Sequence, residues 1–86
     1  MGGALKDVGS PEENIAAEEL REVVEQTIKA LPEDLRMALS LREYDGLSYE
    51  EIAVLMDCPV GTVRSRIFRA REAVDQQVTR LMSGEI

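Results

Sequence analysis

Apolar residues recur at helical spacing in four separate runs of this chain, and no segment alternates with the period of two that a half-buried strand requires. The first run is Leu20, Val23, Val24, Ile28 and Leu31, with Glu18, Glu22 and Glu25 on the opposite side. Ser10-Pro11-Glu12-Glu13 is a start signal for it: Ser10 can cap, Pro11 suits the first helical position, and Glu13 stands where the acid of a capping box belongs. Pro32 breaks this helix and begins the next, whose buried stripe is Leu35, Ala38, Leu39 and Leu41. Asp45-Gly46 ends the second helix. Ser48-Tyr49-Glu50-Glu51 is another capping box and launches a short helix with Ile52, Ala53, Leu55 and Met56 inward. Asp57-Cys58-Pro59 stops it after barely two turns, and a last, long helix runs from near Pro59 to about Met82. The pattern predicts an all-α, four-helix domain over residues 10–86, preceded by a Gly-containing leader or linker remnant at 1–9.

The short third helix, its tight break and the long fourth helix form a helix-turn-helix candidate. Ala53 is the small residue where the two helices touch; Ile52, Met56, Cys58, Val63 and Ile67 are the apolar partners. Asp57 occupies the turn position where Gly is common, and Asp tolerates unusual backbone angles better than most residues. Projected at about 100° per residue, the last helix gathers Val63, Ile67, Ala70, Val74, Val78 and Leu81 on one stripe that must face the core. The other side presents Gly61, Thr62, Ser65, Phe68 and Arg69, flanked by Arg64 and Arg66.

Charge sharpens that contrast. The 86 residues hold 10 Lys and Arg against 17 Asp and Glu, a formal net charge of −7, which alone argues against nucleic acid. The distribution reverses the argument. Met1–Asp57 contains five basic and fourteen acidic residues, whereas Thr62–Arg71 contains four Arg and no acid. The local field, not the total, acts at a docking surface. A major groove about 12 Å wide admits one helix. Small residues at its N-terminal end let the backbone approach, Arg pairs with guanine or holds phosphate, and an outward Phe packs on a thymine methyl or a sugar. Four Arg in ten residues can also simply solvate a helix, but Glu and Lys are missing from this face. Arg71 projects to the edge of the stripe and is placed to pair with an acid such as Glu43 or Asp75. Ser10 and Ser48 read as caps, Cys58 as a small apolar residue at the turn, and the Glu-rich first helix as a solvated face.

Composition excludes several chemistries. There is no His and one Cys, hence no Ser-His-Asp triad, no internal disulfide and no His or Cys zinc site. Nothing pairs a nucleophile with a base or cradles phosphate in a Gly loop, so no enzyme, cofactor or metal is expected. No apolar run approaches the roughly 20 residues of a membrane span, the first residues lack a signal-peptide core, and the lone thiol fits a reducing, cytoplasmic setting.

Three stretches carry a family likeness: Leu31-Pro32-Glu33-Asp34-Leu35-Arg36; Glu43 through Ala53, reading EYDGLSYEEIA; and Cys58 through Glu72, reading CPVGTVRSRIFRARE. They closely resemble region 4 of bacterial extracytoplasmic-function sigma factors of the envelope-stress, sigma-E or alginate-regulator type. The last stretch is the most specific, and the likeness extends more loosely back to Ser10. The resemblance implies recognition of the minus-35 promoter element in duplex DNA, with a GGAAC-like sequence expected. It also implies docking on the flap-tip helix of the RNA polymerase β subunit, in the apolar concavity between the early helices, and regulation by an anti-sigma factor. Carried over by position, Arg64, Ser65, Phe68 and Arg69 are base-proximal or line the groove wall. Thr62, Arg66 and Arg42 contact the DNA backbone, and Tyr49 and Glu50 lie near a phosphate through their N–H groups. The family's region 2 has no counterpart here, so an excised domain or fragment is expected. Two other readings stay open. A stand-alone dimeric helix-turn-helix regulator needs a two-fold interface, for which Val74, Val78 and Leu81 are candidates. A purely protein-binding, anti-sigma-binding module would use the acidic half.

Overall fold

The computed structural model describes residues 11–85, with side chains described from residue 16 onward. The expected cap at Ser10, the side chain of Glu13 and the leader at 1–9 therefore lie outside the described residues. Four helices follow one another: α1 Pro11–Ala30, α2 Glu33–Glu43, α3 Tyr49–Met56 and α4 Val60–Met82. No strand occurs among the described residues.

Local chemistry fixes each boundary. Pro32 stands as the N-cap of α2 with φ −52° and ψ 148°, an extended geometry that cannot continue α1. Gly46 takes φ +69° just past α2, in the left-handed region an L side chain resists. The capping box at α3 closes reciprocally. Ser48 Oγ accepts the Glu51 N–H at 3.0 Å, and a Glu51 carboxylate oxygen accepts the Ser48 N–H at 2.8 Å. At the other end Asp57 is left-handed, with φ 55° and ψ 54°. Its N–H donates to Val54 O at 3.2 Å, while the Cys58 N–H donates to Ala53 O at 3.1 Å. That is a Schellman closure, with Asp doing what Gly does more cheaply. It turns the chain sharply into Pro59, which begins α4 in extended backbone geometry.

Helix α4 is the axis of the domain: α1, α2 and α3 all pack on it, and α2 also packs on α3. The buried core is Leu31, Ala38, Leu39, Ile52, Ala53, Val63, Ile67 and Ala70. Every buried α4 residue belongs to the expected stripe; Val74, Val78 and Leu81 continue it half-buried, alongside the half-buried Val23, Val24 and Ile28 of α1. Leu55 departs from expectation. It is 63% exposed, as is Val54 at 80%, although Leu55 was expected inward. On a helical wheel Ile52, Met56 and Ala53 span an arc of about 100°, and Leu55 lies about 60° outside it. With neighbours only on the α2 and α4 sides, the short helix buries that arc and no more. Among the described residues no helix is long and apolar enough to cross a membrane.

Candidate nucleic-acid interface

The first turn of α4 holds no acid, and no side chain caps it. Its start therefore offers N–H groups and the positive end of a helix dipole to an anion. Gly61 is exposed at that end, and a Cβ built on it meets nothing within 4 Å. The fold itself does not need glycine there. Behind it, Arg64, Ser65, Phe68 and Arg69 are all exposed, Phe68 by 67%, while Thr62 is half-buried. The burial of Val63, Ile67 and Ala70 forces this side outward.

Helices α2 and α3 deliver the site residues that lie off α4. Its N-terminus places half-buried Tyr49 and exposed Glu50 beside α4. Arg42, in the last turn of α2, donates from Nη1 to Leu47 O at 2.8 Å, and its Cζ lies 5.0 Å from the centroid of the Tyr49 ring. Arg64 Cζ lies 5.8 Å from the same centroid. The structure thus brings Arg42, Tyr49 and Arg64, drawn from three helices, into one cluster. Glu50 stays in solvent at the first turn of α3.

Arg66 sits differently from its neighbours. Its side chain is only 25% exposed; Nε faces Asp34 Oδ2 at 3.5 Å, and Nη1 donates to Cys58 Sγ at 3.6 Å. Arg71 is paired with Glu43, its Nε donating to Oε2 at 3.1 Å and its Nη2 reaching the same oxygen. Hydrogen bonding to Glu43 raises the Arg71 pKa above its ordinary value; partial desolvation opposes this, and the charge of Glu43 and contact with Tyr49 add to it. Arg71 thus joins α4 to the end of α2 through a half-exposed ion pair.

Two acids of this surface escape the pattern reading. Glu72 lines the same shallow hollow as Arg64, Ser65, Phe68 and Arg69. Extending the helical projection one residue past Arg71 finds it, because it follows Phe68 by four and Arg69 by three. Asp34 lines the hollow at the start of α4 with Gly61, Thr62 and Arg66. It gives no signal in the sequence, since only the packing of α2 on α4 carries it there.

A helix-turn-helix whose second helix buries an aliphatic seam and exposes an arginine-bearing, uncapped N-terminal half defines the class: a helix-turn-helix nucleic-acid-binding unit. The chain belongs to the sigma-70 region 4 family, whose profile, described as "Sigma-70, region 4", matches residues 21–74. It is 68% identical over 81 residues to the ECF RNA polymerase sigma-E factor of Escherichia coli (strain K12), covering 94% of this chain and 42% of that protein. The sigma-E factor of Salmonella typhi matches to the same extent. The RNA polymerase sigma-H factor of Pseudomonas aeruginosa is 62% identical over 79 residues, covering 92% of this chain and 41% of that protein. The chain spans less than half the length of these curated relatives.

Proposed function

We propose that this chain is the promoter-reading part of an extracytoplasmic-function sigma factor and binds the minus-35 element of duplex DNA through the outer face of α4. The observation that carries the reading is the exposure, on one continuous side of α4, of Gly61, Arg64, Ser65, Phe68 and Arg69 beside an uncapped, acid-free helix start. Arg64, Ser65, Phe68 and Arg69 take base edges and the groove wall. Thr62 and Arg42 take phosphates, and the N–H groups of Tyr49 and Glu50 point from the start of α3 toward another. Arg66 reaches a phosphate only by leaving Asp34, so we assign it a conditional backbone contact.

The unit that reads DNA is residues 10–86, with 1–9 as leader or linker. Its partners in this reading are promoter DNA, the β flap of RNA polymerase and an anti-sigma factor, in the cytoplasm and without catalysis of its own. The dimeric alternative is not favoured, because Val74 lies beside Val24 and Ile28, and Leu81 beside Val23, on α1 of the same chain. The test is selection of bound duplexes from a random pool. Enrichment of a GGAAC-like sequence is the expected result; a pool with no enriched sequence, despite binding, contradicts base readout.

A further inference from the structure

In the proposed complex the Tyr49 N–H faces a phosphate, and the side chain has a separate part to play. Its ring is half-buried against the core at the first position of α3, directly after the capping box that fixes Ser48 and Glu51. Two guanidinium groups come within about 6 Å of its centroid, the range in which a cation is attracted to an aromatic face. One of them, Arg42, is anchored: it closes the α2–α3 loop by its 2.8 Å hydrogen bond to Leu47 O. The other, Arg64, is the exposed arginine proposed to meet a base. The ion pairs that α4 makes among the described residues go to Arg66, Arg71 and Arg80. Among the described residues the Arg64 guanidinium leans on the Tyr49 ring, and a line of contacts runs from Leu47 through Arg42 and Tyr49 to Arg64.

We propose that Tyr49 is a positioning residue for base readout, its ring holding the Arg64 guanidinium in the direction it takes toward DNA. This rests on the promoter-reading assignment of α4. A long arginine side chain loses rotamer freedom when it binds a base, and a ring that has already restricted it lowers that loss. Arg69 lies on the same face with no ring under its guanidinium among the described residues, so the two arginines differ in how they are prepared. A phosphate contact by the Tyr49 hydroxyl would instead act equally on every DNA sequence.

The test uses the 86-residue chain and two duplexes, one carrying GGAAC and one with those five bases scrambled, read by fluorescence anisotropy. Tyr49→Leu is expected to weaken binding to the GGAAC duplex about three- to tenfold more than binding to the scrambled duplex, where only the Arg42 phosphate contact is disturbed. Tyr49→Phe, which keeps the ring, is expected to discriminate the two duplexes like the wild type, and Tyr49→Leu is expected to remove no further discrimination in an Arg64→Ala background. Equal losses on both duplexes, a Phe variant that discriminates as poorly as the Leu variant, or additive losses of discrimination with Arg64→Ala would each overturn the proposal. Because Tyr49 touches the core, a second measurement uses the wild-type fold without DNA. The side-chain protons of Arg64 are expected to show an upfield ring-current displacement in proton NMR that Arg69 lacks, retained in Tyr49→Phe; its absence overturns the proposal. A wild-type chain that shows the displacement but does not distinguish the two duplexes overturns the promoter reading instead, and the positioning role with it.

Discussion

Gly61 sits in the first turn of a helix, exposed, with open space where a side chain would be. Glycine costs a helix interior roughly 0.5–1 kcal/mol relative to alanine, and a first turn less, and nothing inside the fold recovers that cost. In the proposed complex the compensation is close approach of the α4 backbone to DNA. Gly61→Ala should therefore raise the thermal midpoint of the free chain and weaken duplex binding; a more stable variant with undiminished binding would remove Gly61 from the interface. Arg64→Ala and Arg69→Ala should each cost about 1–3 kcal/mol, concentrated at particular base positions in a single-substitution duplex series. Equal losses on scrambled duplexes would show that they only hold phosphate. Arg71 carries the same charge, but its pairing with Glu43 was legible in outline from its place at the stripe edge. The pairing of Arg66 with Asp34 was not, because Arg66 projects on the flank of the outward face, where nothing in the helical pattern points it at an acid of α2.

At the scale of elements, the boundaries were legible because each is written in short-range chemistry: Pro32, Asp45-Gly46, the Ser48–Glu51 box and Asp57-Cys58-Pro59. None of these depends on what packs where. Leu55 shows the limit of the same reasoning. Periodicity gives the direction of an apolar face, whereas its width depends on how many neighbours close over it, and α3 has them on two sides only. The capping box matters more to α3 than a cap does to a longer helix, since eight residues nucleate poorly alone. Ser48→Ala removes the acceptor of the Glu51 N–H and should cost about 1 kcal/mol, measured by chemical denaturation. A change indistinguishable from zero would mean that tertiary packing, not the cap, holds the start of α3.

The whole molecule is thin. Over the described residues its principal extents are 46 × 36 × 16 Å, the shortest about a third of the longest. Only eight hydrophobic residues are buried among those described, so stability rests on few contacts. Ile52 is fully buried between α3, α2 and α4, and Ile52→Ala should cost about 2–5 kcal/mol. In so small a domain this is a large share of the total, and helical circular dichroism at 37 °C should fall substantially. A fully helical variant would show the core to be more redundant than its size suggests. The charge of the molecule is divided in the same way as its shape. In the proposed complex the acidic side of α1 turns away from the polyanion and the basic outer face of α4 is drawn to it, which would orient the approach before any base is touched. The most direct test of that division is amide chemical-shift mapping of the 86-residue chain titrated with a GGAAC duplex. The account predicts the largest changes from Gly61 to Arg69 and at Tyr49 and Glu50. Changes centred on the Glu18, Glu22 and Glu25 side of α1, with α4 unmoved, would contradict it.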